Sequence, residues 1–224
     1  MNDILCSICI PSRKRPEGLR LCIEQIAACT SKPDRVEFIV RADEDDIETI
    51  SFLDDTFEIH GCLIEPIIGP RLQCDYADMV SNLLMECIAV ARGRWIWIMN
   101  DDAGVMPQSR GWDEKLAHVE PYRTLVSPEV NLWEGKVMNW PGFICGAWHT
   151  CHFPIMLNGW WKEYGFTRLE PPADKFTLNF LTGLGHEGTP PGAGWRLVTL
   201  NNLVTWHGQK KDELFNEHKR VNFE

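Results

Sequence analysis

The feature of this sequence that most restricts its fold is an alternation of apolar runs with helical repeats across the first half. Four apolar runs have the length of buried strands, and they span residues 4–10, 36–40, 62–68 and 95–99. Two segments between them, 19–26 and 80–91, carry apolar residues at helical spacing. Strands that alternate with helices predict an α/β fold with a single, Rossmann-like, mostly parallel central sheet flanked by helices.

Three polar loops follow predicted strands. The basic segment Ser12–Pro16 follows the first strand, the acidic segment Asp43–Asp46 follows the second, and Asn100–Asp102 follows the strand that ends at Met99. Ligands of open α/β sheets bind beyond the carboxyl ends of the strands. We therefore expect the three loops to lie at one edge of the sheet and to form one site.

The second half of the chain is rich in Trp, Gly, Pro and His, and its periodicity is weaker. A tryptophan in this half either packs in the core or stacks on the apolar face of a sugar, and the sequence leaves both alternatives open. They concern Trp160, Trp161, Trp195 and Trp206. No linker-like segment separates the halves, so we predict one domain over residues 1–224, with functional halves 1–107 and 108–224.

Composition and charge exclude some classes of protein. The chain has 22 basic and 32 acidic residues, a net charge of −10, which argues against a general nucleic-acid binder. No run approaches the ~20 apolar residues of a membrane span, and no signal-peptide pattern opens the sequence, so we expect a cytoplasmic protein. Cys6 and Cys9 are not expected to bind a metal together, because residues three apart on a strand face opposite sides.

The carboxylates of Asp101 and Asp102 are the strongest candidates for chemistry. Adjacent like charges repel, and each raises the pKa of the other. A divalent cation such as Mg²⁺ or Mn²⁺ would relieve that repulsion and complete its shell with waters and phosphate oxygens. The alternative is a structural Asp-rich turn, which is common after strands.

The context of these two residues resembles the glycosyltransferases of GT-A fold, especially family 2. In Asn82–Pro107 a helix, an Ala-x-Gly step and an apolar strand lead into an Asp-Asp turn, with a Pro a few residues on. Pro11–Pro16 is similar to the first loop of that family, with Ser12 and Lys14 in place of its Thr and Asn. The resemblance implies a GT-A fold and a hexosyltransferase-type enzyme that uses a nucleotide-diphosphate sugar, UDP-linked by preference.

The resemblance also implies site residues. Asp102 would be the main ligand of Mn²⁺ or Mg²⁺, and Asp101 would contact the metal or the ribose. His207, at the end of a predicted strand, is either a third metal ligand or a structural histidine; imidazole suits Mn²⁺ better than Mg²⁺. Either Asp43 or Asp45 would hold the nucleoside. The full set expected to bind the donor is Pro11, Arg13, Arg15, Asp43, Asp45, Arg71, Asn100 and Asp101.

The acceptor side is expected in the second half. The resemblance implies an inverting enzyme, in which a carboxylate takes the proton of the acceptor hydroxyl. Asp174 is the best match to the acidic residue that the family places at the start of a helix, with Glu170 in reserve. Asp174 also suits a helix N-cap, and the two roles are compatible. Gly183–Gly188 matches the dinucleotide fingerprint G-x-G-x-x-G, but Pro190-Pro191 would prevent the helix that this motif requires, so we interpret it as a flexible loop.

The acceptor itself is undefined and could be a glycan, a lipid or a protein. His149 and His152 are expected in the pocket or the core. Two alternatives to a glycosyltransferase remain. A sugar-nucleotide nucleotidyltransferase usually has a Gly-rich loop after the first strand, whereas this chain has no glycine there before Gly18. A non-catalytic carbohydrate- or nucleotide-binding protein of the same fold would also suit the Trp-rich half.

Overall fold

The computed structural model describes residues 3–74, 76–122, 124–133, 136–137, 155–159 and 196–207. The strands in these ranges are β1 (Cys6–Ser12), β2 (Val36–Asp43), β3 (Glu58–Ile59), β4 (Cys62–Gly69), β5 (Trp95–Ile98), β6 (Ala103–Val105), β7 (Thr124–Trp133), β8 (Lys136–Val137), β9 (Ile155–Leu157) and β10 (Arg196–His207). The α-helices are α1 (Pro16–Ala28), α2 (Ile47–Asp54), α3 (Tyr76–Val90) and α4 (Trp112–Ala117), and 3₁₀ turns span Pro33–Arg35 and Pro107–Ser109.

The ten strands of the described ranges belong to one sheet, in the order β3-β4-β2-β1-β5-β9-β7-β10-β6, with β8 paired to β7. β4, β2, β1 and β5 are mutually parallel, and β7 is parallel to β10. β9 is antiparallel to both β5 and β7, so β5 and β7 run in the same direction. Six strands therefore share one direction, and the prediction of a mostly parallel α/β sheet is confirmed.

Apolar cores lie on both faces of the sheet. α1, α2 and α4 cover one face, in a cluster that includes Leu19, Phe52 and Trp112. α3 covers the other face through Leu84, Cys87 and Ile88. β1, β2 and β5 are almost entirely buried because they lie between these two layers. No helix in the described ranges combines the length and the apolar character needed to cross a membrane.

The two layers also explain the cysteines of β1. Cys6 belongs to the core under α1, and Cys9 belongs to the core under α3. Their side chains therefore lie on opposite faces of the sheet, as the strand interpretation of the sequence required. Burial raises the pKa of both thiols well above its usual range, which makes them packing groups.

Two local features depend on specific contacts of single residues. α2 follows the acidic loop directly, because the Asp46 side chain caps it by accepting from the Thr49 N–H (3.3 Å). Gly93 matches a helix C-cap in sequence, yet it is not among the glycines with positive φ. It is required for a close approach instead, since a Cβ there would lie 2.4 Å from the Ser7 nitrogen.

Candidate functional site

The turn after β5 brings two carboxylates to the carboxyl edge of the sheet. The Met99 N–H donates to the Cys9 carbonyl (3.0 Å) and continues the pairing of β5 with β1. The Ala103 N–H then donates to the Asn100 carbonyl (3.3 Å) and closes the turn, after which β6 begins. Asp101, inside this turn, is only 6% exposed.

Asp101 is directed towards the loop that follows β1. Its carboxylate accepts from the Ser12 hydroxyl (3.0 Å), from Arg15 Nη1 (3.0 Å) and from the backbone N–H of Arg13. Burial nevertheless dominates, and together with the charge of Asp102 it raises the pKa of Asp101 above its ordinary value. The first and third of the predicted loops are therefore in direct contact.

Asp102 contacts both β10 and the loop that follows β1. Its Oδ1 lies 3.0 Å from Nε2 of His207, and its Oδ2 lies 3.0 Å from Arg15 Nη1. Burial alone would raise its pKa, but the hydrogen bond and charge of His207 and the charge of Arg15 outweigh burial, and the net pKa is lowered. The environments of the two adjacent carboxyls thus push their pKa values apart, as in sites where such groups have different roles.

His207 reaches the turn through strand pairing. β10 is antiparallel to β6, and the register places His207 opposite Ala103, the residue that follows Asp102. The imidazole is buried, with 8% of the residue exposed, and its Nε2 is also 3.5 Å from the Asn100 amide nitrogen. The structure therefore brings together Asn100, Asp102 and His207, which the sequence analysis had placed in one site.

A buried hydrogen bond fixes β10 at this position. Trp206 Nε1 donates to the side-chain carbonyl of Gln25 on α1 (2.7 Å). A Cβ at Gly104 would lie 2.3 Å from that Gln25 oxygen, so a side chain opposite Trp206 would displace this hydrogen bond. Trp206 is 3% exposed, and the core interpretation applies to it.

The loop after β1 is tied to the loop after β2 by charge. Arg13 Nη1 donates to Asp43 (2.6 Å) and Asp45 (2.5 Å), and its Nη2 also contacts Asp45 (2.9 Å). The backbone N–H of Lys14 donates to Asp46 (2.5 Å). The hydrogen bond from Arg13 lowers the pKa of Asp45 to about 2, with a further contribution from the charge of Arg71. Arg71 therefore lies close to this ion-pair cluster.

Arg41, on β2, is a residue whose importance the sequence analysis missed. Its side chain is fully buried and donates to Glu86 of α3, to Asp43 Oδ1 (3.2 Å) and to the Pro70 carbonyl (2.8 Å). Gly69 leaves room for it, since a Cβ there would lie 2.9 Å from the guanidinium. An Arg within a mostly apolar strand, just before an acidic run, is the sequence signal that could have identified it.

The remaining residues of the sequence analysis fall into two groups, those at the end of β1 and those outside the described ranges. Pro11 is half-buried on β1, opposite Arg41 of β2. Ser12 was noted only as a departure from the family motif, yet it donates to Asp101. Several predictions fall outside the described residues, namely those for His149, His152, Trp160, Trp161, Glu170, Asp174, Gly183–Gly188 and Trp195.

Helix α1 packs closely against the acidic turn Asn100–Asp102. A Cβ on Gly18 would lie 2.7 Å from the carbonyl oxygen of Asp101, so the first turn of α1 packs directly on the backbone of the acidic turn. Arg15 immediately precedes α1, and this contact therefore fixes the starting point from which Arg15 reaches Asp101 and Asp102.

Comparison with known proteins identifies the fold. No protein-family model matches the chain, and no curated protein matches its sequence. Solved structures do match. TarS 1-349 from S. aureus aligns with a TM-score of 0.64 and 10% identity over 92% of this chain and 60% of that one. Its complex with UDP-GlcNAc aligns with a TM-score of 0.63 and 10% identity over 94% of this chain and 60% of that one.

The mannosyltransferase PcManGT from Pyrobaculum calidifontis, solved with GDP-Man and Mn²⁺, aligns with a TM-score of 0.62 and 14% identity over 92% of this chain and 57% of that one. The chain thus spans about 60% of the length of the solved proteins it matches. At such identities the likeness establishes architecture. The chain has the GT-A-like fold of these glycosyltransferases.

Proposed function

We propose that this chain is a metal-dependent glycosyltransferase that moves a sugar from a nucleotide-diphosphate sugar, UDP-linked by preference, to an acceptor hydroxyl. The observation that carries the proposal is the convergence of Asp102 and His207 at the carboxyl edge of the sheet, beside the basic loop that holds Arg13 and Arg15. The fold is shared with proteins solved with UDP-GlcNAc and with GDP-Man and Mn²⁺, which supports the donor class.

The donor atoms of Asp102 and His207 suit a divalent metal. Asp102 Oδ1 and His207 Nε2 are 3.0 Å apart, and two neighbouring ligands in an octahedral shell with bonds of ~2.1 Å are also about 3 Å apart. One carboxylate oxygen and one imidazole nitrogen favour Mn²⁺ over Mg²⁺. Within the described residues no three acidic, His or Cys side chains converge on one point, so waters and phosphate oxygens would complete the shell.

The remaining side chains divide the donor between them. Arg13, Arg15 and Arg71 supply positive charge for the diphosphate. Asp43 is held in place by two guanidinium groups, those of Arg13 and Arg41. We assign Asp43 to the nucleoside in preference to Asp45, because Asp43 is buried and fixed while Asp45 is exposed.

The reaction follows from these assignments. A bound metal supplies Lewis-acid stabilisation of the departing nucleotide. The acceptor oxygen attacks the anomeric carbon, the bond from that carbon to the phosphate oxygen breaks, and Asp174 takes the hydroxyl proton. Attack from the face opposite the leaving group inverts the anomeric centre. Asp101 remains bonded to Ser12 and Arg13 and keeps the turn in place for Asp102.

Both halves of the chain contribute strands to the one sheet, and β10 supplies His207. We therefore propose one domain over 1–224, with donor binding in 1–107 and acceptor binding in 108–224. His207 crosses that division, since it lies in the acceptor half but contacts Asp102 of the donor half.

The experiment is a thermal-shift panel of UDP, GDP, dTDP and CMP, each with and without Mn²⁺, followed by donor-turnover assays with the stabilising nucleotide's sugars. A ligand of the native state raises its stability by mass action, so we expect a Mn²⁺-dependent shift with one diphosphate. Pyrophosphate release from a nucleoside triphosphate would instead indicate a nucleotidyltransferase. Metal-dependent donor binding without turnover of any sugar would indicate a binding protein.

A further inference from the structure

A single guanidinium nitrogen bridges the two carboxylates of the acidic turn. Arg15 Nη1 lies 3.0 Å from Asp101 Oδ1 and 3.0 Å from Asp102 Oδ2. The Arg15 side chain is 47% exposed, whereas those of Asp101 and Asp102 are 9% and 20% exposed. A cation that belongs to the protein thus reaches in from solvent and sits against a carboxylate proposed to hold the metal.

This contact affects what the site can bind. Asp102 uses Oδ1 for His207 and Oδ2 for Arg15, so both of its oxygens are engaged in the chain described here. A divalent cation on the same carboxylate would be repelled by Arg15 at short range. A diphosphate would compete with the two carboxylates for Arg15, because guanidinium–phosphate hydrogen bonds are among the stronger ones in proteins.

We infer that Arg15 is a displaceable counter-ion, which neutralises Asp101 and Asp102 while the donor is absent and transfers to the donor's diphosphate when the donor binds. The inference rests on the proposed function. Its consequence is that metal and donor bind cooperatively, because the donor removes the cation that competes with the metal. By linkage, the metal must then strengthen donor binding by the same factor.

Arg15 is therefore a positioning residue. The Mn²⁺ affinity measured without donor reports how strongly Arg15 competes with the metal. We expect Arg15→Gln to bind Mn²⁺ about tenfold more tightly than the wild type without nucleotide. Tenfold corresponds to about 1.4 kcal/mol, the scale of two partly exposed ion pairs. Arg15→Lys keeps the positive charge on a single donor nitrogen, and its Mn²⁺ affinity should equal that of the wild type. Arg15→Met, which also lacks the charge, should repeat the result of Arg15→Gln.

The matched control is Lys14→Asn. It removes one positive charge from the same loop, at a residue whose backbone N–H donates to Asp46. Asn also tolerates the left-handed backbone of this position, where φ is +54°. Its Mn²⁺ affinity should equal that of the wild type, which separates the contact of Arg15 from a change in net charge.

The measurements are the donor-free Mn²⁺ affinity, from the electron paramagnetic resonance signal of free Mn²⁺, and the UDP affinity with and without Mn²⁺, from calorimetry. We expect Mn²⁺ to strengthen UDP binding more in the wild type than in Arg15→Gln. Equal donor-free Mn²⁺ affinity in the wild type, Arg15→Gln and Arg15→Met would overturn the inference and leave the proposed function standing. Absence of Mn²⁺ binding in every variant, with and without UDP, would overturn both.

Discussion

The imidazole of His207 lies 3.0 Å from the carboxylate of Asp102, although 105 residues separate them in the sequence. The antiparallel pairing of β10 with β6 creates this contact, because it sets His207 opposite Ala103. One proposed metal ligand thus comes from the strand-turn-strand unit of β5 and β6, and the other from β10. The proposed activity requires both.

The substitution Asp102→Asn tests the proposed metal site. An amide is a weaker metal ligand than a carboxylate, so we expect donor turnover to fall by at least about 100-fold, the effect typical of losing a group that stabilises charge in the transition state. The control is Glu114→Gln on α4, which lines a cavity together with Leu5, the residue before β1, and it should turn over as the wild type. Wild-type turnover in Asp102→Asn would contradict the assignment.

The pair Asp101→Asn and Asp102→Asn should change stability in opposite directions in the metal-free protein. The pKa of Asp101 is raised, so its charged form destabilises the folded state at neutral pH, and the neutral amide should increase Tm. The pKa of Asp102 is lowered, so its charge stabilises the fold, and its removal should decrease Tm. We expect changes of about 1–4 °C each, by thermal denaturation in EDTA.

The pH dependence of these two differences has a defined sign. The stabilisation by Asp102 is fully present above the unfolded pKa of ~3.9 and is lost as the pH falls through the lower, folded value. The destabilisation by Asp101 is present above its raised, folded pKa and disappears as the pH falls towards ~3.9. Between pH 7 and 4 the Tm advantage of Asp101→Asn should therefore shrink, while the Tm deficit of Asp102→Asn should persist.

Gly18→Ala should displace the acidic turn. The added Cβ would meet the Asp101 carbonyl oxygen at 2.7 Å, and that oxygen is backbone, so either α1 or the turn must shift. Overpacking of this kind costs about 1–3 kcal/mol, and activity should decrease with Tm. Gly159→Ala provides the control, because no atom of the described residues lies within 4 Å of the Cβ that this substitution would add. Equal Tm values for the two variants would refute the close approach.

The hydrogen bond between Trp206 and Gln25 can be measured by a double-mutant cycle. Gln25→Leu deprives the buried indole N–H of this acceptor, and Trp206→Phe deprives the buried amide of this donor, so each should destabilise by about 1–3 kcal/mol. The double variant removes both partners and should lose less than the sum. Denaturant unfolding gives the coupling energy, and strict additivity would show that the two side chains do not interact.

Arg41→Lys should weaken donor binding without removing charge. A lysine cannot reach Glu86, Asp43 and the Pro70 carbonyl together, so Asp43 would lose the contact that orients it. We expect a rise in the Kd of UDP of about tenfold, from calorimetry. An unchanged Kd alongside a reduced Tm would show that Arg41 stabilises the fold without affecting the donor site.

The parallel strands of the first half could be predicted from sequence because each one is a short, continuous run of mostly apolar residues. Apolar runs near Ile8, Phe38, Ile64 and Ile96 become β1, β2, β4 and β5. β1, β2 and β5 are buried between two layers and are therefore mostly apolar, whereas β4 has an apolar run although several of its residues are exposed. The shared direction of the strands then brings Arg13 to Asp43 and Ser12 to Asp101. Chain direction alone was enough to predict that the three loops meet.

Features that depend on non-local contacts were not predictable in the same way. One local feature was also missed, since the Asp46 side chain caps α2. Gly93 has the sequence context of a cap, but its lack of a side chain serves contact with Ser7, which is 86 residues away. Buried Arg41 is paired with Glu86 of α3, and the residue pattern within β2 could not reveal this contact.

The position of β10 between β7 and β6 determines when, during folding, the protein becomes able to bind the metal. Strand pairing across about a hundred residues requires closure of a long loop, and such contacts form late in folding. A chain in which β1, β2, β4 and β5 have already assembled would hold Asp43 and Asp102 in place and still lack His207. Metal binding should therefore appear as the last step of refolding, after the burial of Trp95 and Trp97, and would serve as a kinetic marker for the docking of β10.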